Sequence, residues 1–282
     1  MAEQIEIPVQ PVSKPILCNP FVKPTKHWVY DTTTGDARQE MDRRPAGYWY
    51  KTQRTGSAQM QLAGFAEEQR DDLPLVNLLR KDVERWRDAQ YEGATPVTKQ
   101  LLAFWSRPDR PRKLFFCQRE AVETVIYLNE ILAAGRRPRW NPNLSIDDFH
   151  RLMKGERPSF LGDARNAVIP TLLDQPNESG SKALLRYGCK MATGSGKTVV
   201  MAMLIAWTFC NRGRVPGDSR FPNAAVVVCP NLTINERLQV LRPEISDNYY
   251  AEFEIVPSQL MPELMKGKVL ITNWHLFLPE FP

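Results

Sequence analysis

The chain has 282 residues, 43% of them hydrophobic and 24% charged, with a formal net charge of +5 at pH 7. That balance excludes a disordered or collagen-like chain, supplies enough apolar residues for about two domains with buried cores, and is compatible with a polyanionic partner without requiring one. The longest apolar run, Val199 to Trp207, is far shorter than the roughly 20 residues that cross a bilayer, and "MAEQIEIPVQ" lacks the parts of a secretory leader, so no membrane partner and a cytoplasmic location are expected.

In chain order, Pro8, Pro11, Pro15, Pro20 and Pro24 forbid a regular helix at the start and predict an extended arm lying on another surface. "KHWVYDTTTGDARQEM" then reads as two strands around a turn at Thr34-Gly35-Asp36. From Leu73 to Trp86, Leu75, Val76, Leu78, Leu79, Val83 and Trp86 fall at helical spacing opposite a charged face. The basic linker "WSRPDRPRK" leads into a second helix marked by Val122, Val125, Ile126, Leu128, Ile131 and Leu132, which Gly135 ends. Residues 136–183 read as an irregular insertion with one helical patch at Ser145 to Met153.

From residue 184 the pattern becomes strand–helix alternation: "ALLRYGCKM" a strand, Lys197 to Cys210 a helix, "AAVVVCP" a strand, Asn235 to Leu241 a helix, "KVLITN" a strand. This βαβαβ order predicts an α/β fold with a parallel sheet. The segments are therefore 1–110 as a smaller α+β preface, 111–135 as a motif helix, 136–183 as the insertion and 184–282 as an α/β domain. Cys18, Cys117, Cys189, Cys210 and Cys229 form no CxxC pair and no metal-ligand spacing with His27, His150 or His275, and read as reduced thiols.

The sharpest chemical signal is "KMATGSGKT", Lys190 to Thr198. A phosphate loop needs glycines where the backbone turns tightly, a lysine to reach the β and γ phosphates, and a hydroxyl for magnesium at the start of a helix. Gly194, Gly196, Lys197 and Thr198 supply these, with Thr193 and Ser195 completing the loop. A nucleotide with Mg2+ is the expected ligand, Lys197 and Thr198 the catalytic candidates and Thr198 the magnesium ligand; the resemblance below makes the nucleotide ATP.

The glycine loop, the upstream Gln118 in "FFCQREAVET", "VVVCPNLTINERL" and "VLITNWHLF" resemble, in order, the adenine-reading glutamine motif and motifs I, Ia and Ib of superfamily 2 DEAD/DEAH-type helicases. More narrowly, "NPFVKPTKHW", "RRPAGYW", "LRKDVERWRDAQYEGATPVTKQLL" and "CKMATGSGKTVVMAMLIAW" resemble the amino-terminal part of type III restriction enzyme Res subunit-like helicases. The resemblance implies a RecA-like P-loop NTPase sheet, adenine recognition by Gln118 and contacts to double-stranded DNA from Asn231, Thr233, Thr272 and Asn273. A methyltransferase or specificity subunit is the partner it implies. Competing readings stay open: a helix cap at Asn231, core packing at Phe115 and Phe116, a packed pair at Trp274 and His275. For Arg107, Arg110, Arg112, Lys113, Arg136, Arg137 and Arg139, a solvated run competes with phosphate contacts.

In that family a DExx box holding the Walker B aspartate follows motif Ib, and none follows "ITNWHLF" before Pro282. The chain is therefore expected to be the amino-terminal part of an ATP-dependent helicase or restriction subunit, truncated before Walker B, that binds ATP without turning it over. Two rivals remain: a stand-alone P-loop ATPase or phosphotransferase, which would need an acidic magnesium ligand at a strand end, and a non-catalytic docking fragment for nucleic acid or subunits.

Overall fold

The computed structural model describes residues 11–31, 34–51, 68–154, 156, 158–159 and 186–277, and it comprises two compact units, Met1–Lys81 and Asp82–Pro282. In the first unit, β1 (His27–Tyr30) and β2 (Ala37–Glu40) form the expected antiparallel hairpin, with Tyr30 opposite Ala37. Its turn needs glycine: Gly35 has φ +78° and donates to Asp31 O at 2.8 Å. The proline-rich arm lies on this hairpin, where Trp28 Nε1 donates to Lys14 O at 3.1 Å. A second antiparallel pair, β3 (Gly47–Lys51) and β4 (Glu68–Asp72), was not legible from residue alternation.

Helix α1 (Pro74–Asp88) carries the chain into the second unit. There α2 (Pro96–Ser106) starts where the Thr95 hydroxyl accepts from Thr98 N at 3.1 Å, with Pro96 in the first turn. Helix α3 (Phe116–Ile126) runs on as a π-helical segment, Tyr127–Leu132, and stops at Gly135, φ +64°. The insertion's one helix among the described residues, α4 (Ile146–Met153), is capped by Ser145, which accepts from Asp148 N at 3.0 Å.

The centre of the unit is α5 (Lys197–Arg214). Val199, Val200, Ala202, Met203, Ile205, Ala206, Trp207, Phe209 and Cys210 are all buried, so the helix is apolar on nearly every side, as its sequence predicts. Each large side chain buried this way contributes about 2 kcal/mol. Burial also pushes the Cys210 thiol to about 12, which leaves it a small hydrophobe. After α5 come β5 (Ala224–Cys229), α6 (Leu232–Leu238), the short helices α7 (Tyr249–Glu252) and α8 (Met261–Leu264), and β6 (Lys268–Asn273). β5 and β6 pair in parallel, Ala224 opposite Lys268 through to Cys229 opposite Asn273. Val227, Cys229 and Val269 face inward, while Val226, Val228 and Leu270 are 58%, 50% and 59% exposed.

The protein is thus mixed α/β with short sheets, one of them parallel. Of the expected strand at "ALLRYGCKM", residues 183–185 lie outside the described residues, and the rest is corrected: residues 186–192 are irregular. A strand exists only where a neighbour completes its ladder, and among the described residues β5 and β6 pair only with each other. No described helix is long and apolar enough to cross a membrane.

Two contacts fix the helices around α5. The buried Glu123 of α3 accepts from Arg87 Nε at 3.2 Å and from Tyr91 OH at 2.9 Å, and Arg87 Nη2 closes a second bond to it. Burial first, then the Glu123 charge, pushes the Tyr91 hydroxyl far above its usual range, so it stays a donor. Glu123→Ala strands Arg87 and Tyr91, and a loss of about 3 kcal/mol in urea unfolding is expected; an unchanged midpoint would show the cluster to be ornamental.

Gly213 and Gly267 allow α5 to approach its neighbours, since a Cβ at Gly213 would meet Glu263 backbone at 2.7 Å and one at Gly267 the Phe209 ring at 2.1 Å. In an open helix Gly→Ala stabilises by roughly 1 kcal/mol. Gly213→Ala is expected to do the reverse and lower the melting temperature, because the backbone of α8 cannot yield.

Candidate functional site: the glycine loop

The loop before α5 is built by two left-handed glycines. Gly194 and Gly196 both have φ +77°, and Gly196 is the residue from which the helix starts. The Ala192 carbonyl gathers the loop: it accepts from Ser195 N at 3.3 Å, Ser195 Oγ at 2.6 Å and Lys197 Nζ at 2.9 Å. Thr193, Gly194 and Lys197 are exposed, while Ser195, Gly196 and Thr198 are half-buried.

Gln118 reaches this loop from α3. Its Nε2 donates to Ser195 O at 3.0 Å, and its Oε1 accepts from Phe115 N at 2.9 Å, the reach-back bond of a capping box. The side chain is 5% exposed, and a Cβ added to Gly196 would stand 2.1 Å from its Nε2. Residues 77 apart in sequence are therefore brought into one site.

The arrangement fits a phosphate. Val199 N and Val200 N donate to Gly196 O at 3.0 and 3.3 Å, while the amides of Lys197 and Thr198 precede the first helical acceptor and sit at the positive end of the dipole of α5. Beside Gly194 there is open space, since an added Cβ meets nothing within 4 Å. Lys197 is held only by a neutral carbonyl, and among the described residues no carboxylate pairs with it. Thr198 stands in the first turn, where a hydroxyl meets a magnesium ion bound to such a phosphate.

The remaining candidates gather at the carboxyl ends of the parallel strands. Asn231 caps α6, its Oδ1 accepting from Ile234 N at 2.9 Å, so the capping reading holds for its carbonyl oxygen. Thr233 is exposed in the first turn of the same helix. Across the pair, Thr272 is buried at 6% exposure, and Asn273 Oδ1 lies 3.2 Å from Cys229 Sγ. The same thiol is 3.7 Å from Asn231 O, a link with no signal in the sequence. The Trp274 and His275 rings lie 4.1 Å apart, tilted by 32°.

One arginine of the basic linker points inward. Arg110 is 3% exposed and donates to Arg112 O at 3.1 Å, Glu254 O at 3.0 Å and Phe253 O. Arg107 pairs with Glu254 at 2.6 Å and Arg112 with Glu252 at 2.7 Å. Arg110 is thereby buried against the carbonyls that follow α7 and Arg107 is half-buried beside it, while Arg112, 54% exposed, and Lys113 keep the solvated surface run. Arg136 donates to Gly93 O, and Arg139 pairs with Glu92 at 3.0 Å.

Sequence reasoning passed over Glu130, which is buried beside α5 and accepts from Trp207 Nε1 at 2.7 Å. Its signal was a lone acid inside the apolar run "YLNEILAAG".

Gly194→Ala meets open space and is expected to lose only about 1 kcal/mol for the left-handed backbone. Gly196→Ala adds the collision with Gln118, so its loss should be larger and partly relieved by Gln118→Ala. Thermal unfolding of the three variants checks this; equal losses at 194 and 196 would remove Gln118 from the loop. Compared with family models, with curated proteins and with solved structures, the chain matches none.

Proposed function

We propose that the chain is an ATP-binding part of a helicase or translocase of the superfamily 2 class, acting on double-stranded DNA and similar to type III restriction subunits. The observation that carries the reading is the Gln118 amide braced against the Ser195–Gly196 backbone. The two segments that resemble the glutamine motif and the phosphate loop stand together, and nothing in their separate sequences requires that. The parallel β5–β6 pair supports a RecA-like sheet, because β6 begins where α5 ends: Lys266 Nζ donates to Gly213 O at 3.0 Å.

In this reading the amides at the start of α5 and the Lys197 ammonium bind the phosphates, with Lys197 exchanging the Ala192 carbonyl for the stronger anionic partner. Thr193, Gly194, Ser195 and Gly196 shape the cradle, and Thr198 ligates magnesium. Gln118 keeps one amide hydrogen and one lone pair for the adenine edge, a pattern guanine does not match. Mg–ATP, when bound, supplies the phosphoanhydride whose cleavage drives such motors. β5 and β6 end in Cys229 and Asn273, neither of them an acid, so the chain binds nucleotide without turning it over. The same ends disfavour a self-contained ATPase or phosphotransferase. Asn231, Thr233 and Asn273 face the nucleic acid through their remaining donors, and a methyltransferase or specificity subunit completes the assembly. The exposed Val226, Val228 and Leu270 favour a second reading, a docking module for such a subunit.

Calorimetric titration with ATP and GTP in magnesium tests the proposal. ATP is expected to bind, Lys197→Ala to weaken it at least tenfold, and Gln118→Ala to remove the preference for ATP. The absence of binding, or full affinity in Lys197→Ala, would overturn it.

A further inference from the structure

Side-chain hydrogen bonds link α3 and its π-helical extension to α5 and the loop before it at two levels, the Gln118–Ser195 bond and a second cluster about three turns further on. Glu130 comes twelve residues after Gln118, and Trp207 eleven after Gly196. Three turns of α-helix take about eleven residues, so Gly196 and Trp207 share one face of α5. A plain α-helix would leave Glu130 about a third of a turn off the Gln118 face. The π-helical segment Tyr127–Leu132, with Ala133 N donating to Leu128 O at 2.8 Å, uses an extra residue in its turn and rotates Glu130 back toward α5.

The second cluster is a closed chain of hydrogen bonds. Thr95 Oγ1 donates to Asn211 Oδ1 at 2.5 Å, Asn211 Nδ2 to Thr98 Oγ1 at 3.0 Å, and Thr98 Oγ1 to Glu130 Oε1. Trp207 Nε1 also donates to Glu130 Oε1, at 2.7 Å, and Thr95 N to Glu130 Oε2 at 2.8 Å. Glu130, Thr98 and Asn211 are at most 3% exposed. Three donors converge on Glu130, which only a carboxylate can satisfy with both oxygens; a glutamine would set its NH2 against one of them. A fully satisfied buried network of this kind fixes one arrangement of the elements it joins.

We propose that Glu130 is a positioning residue for the glycine loop: by fixing the rotation of the α3–π helix on α5, it holds the Gln118 amide against Ser195 and Gly196. The site's geometry is then set partly from roughly 16 Å along α5. The consequence for nucleotide affinity rests on the function proposed above; the consequence for the loop does not.

The test uses the full chain with Glu130→Gln, Gln118→Ala and their combination, plus Trp207→Phe, which deletes the Nε1 donor to Glu130 and Thr98 and keeps an aromatic ring. Leu241→Ala, a buried site outside the network, controls for lost stability. Hydrogen exchange over residues 192–200 is read without nucleotide, and ATP affinity by calorimetry well below each melting temperature. Glu130→Gln should speed loop exchange at least fivefold, Trp207→Phe less, and Leu241→Ala hardly at all. ATP affinity should fall about tenfold with Gln118 present and under twofold in the Gln118→Ala background. If Glu130→Gln does not fold, Trp207→Phe decides alone. Loop exchange unchanged in both, or matched by Leu241→Ala, overturns the proposal. A responsive loop in a wild-type chain that binds no ATP upholds the positioning role and removes the nucleotide reading; an unresponsive loop in a chain that binds ATP does the opposite.

Discussion

At Gly196 a side-chain amide occupies the space a Cβ would need. With Gln118 Nε2 2.1 Å from that position and φ at +77°, the residue is glycine for two independent steric reasons. The contact joins the start of α3 to the start of α5, and α5 is the helix around which the second unit packs. Moving Gln118 would shift the loop that delivers α5 and the caps at both helix starts together. The same closeness recurs at the far end, where Gly213 and Gly267 let α5 meet α8 and the entry to β6.

Polar groups, rather than apolar area, decide how the helices are oriented. Leucine and valine bury equally well over a range of rotations, whereas a buried carboxylate tolerates only the arrangement that satisfies it. Helix α3 and its π-helical extension carry two such acids, Glu123 turned toward Arg87 and Tyr91, and Glu130 turned toward Thr95, Thr98 and Trp207. The two hold different neighbours, so the helix is fixed about its own axis as well as in place. Arg110 works by the same rule in the opposite sign: a buried guanidinium with three backbone carbonyls arranged around it.

The outer face of the β5–β6 pair, with Val226, Val228 and Leu270 exposed, contrasts with the close packing on the inner face. The glycine loop lies at the start of α5, whose buried apolar side chains leave the helix behind the loop little room to move.

The sequence by itself determined the features with local causes. Ser145 and Asn231 each precede a helix and each caps it, Gly35 and the loop glycines stand at positive φ, and the apolar periods mark α1, α3 and α5. Each depends on residues within about one turn, so it is legible in a short window. Tertiary structure alone decided which distant groups meet. Residues 186–191 of "ALLRYGCKM" have a strand's composition and pair with no strand among the described residues; Arg110 of the basic linker has a phosphate binder's chemistry and is spent on carbonyls near Glu254; Gln118 finds Ser195 across 77 residues. Pairing, burial and the partner of a polar side chain are properties of the whole packing, and a one-dimensional pattern carries the candidates for a contact without carrying the contact.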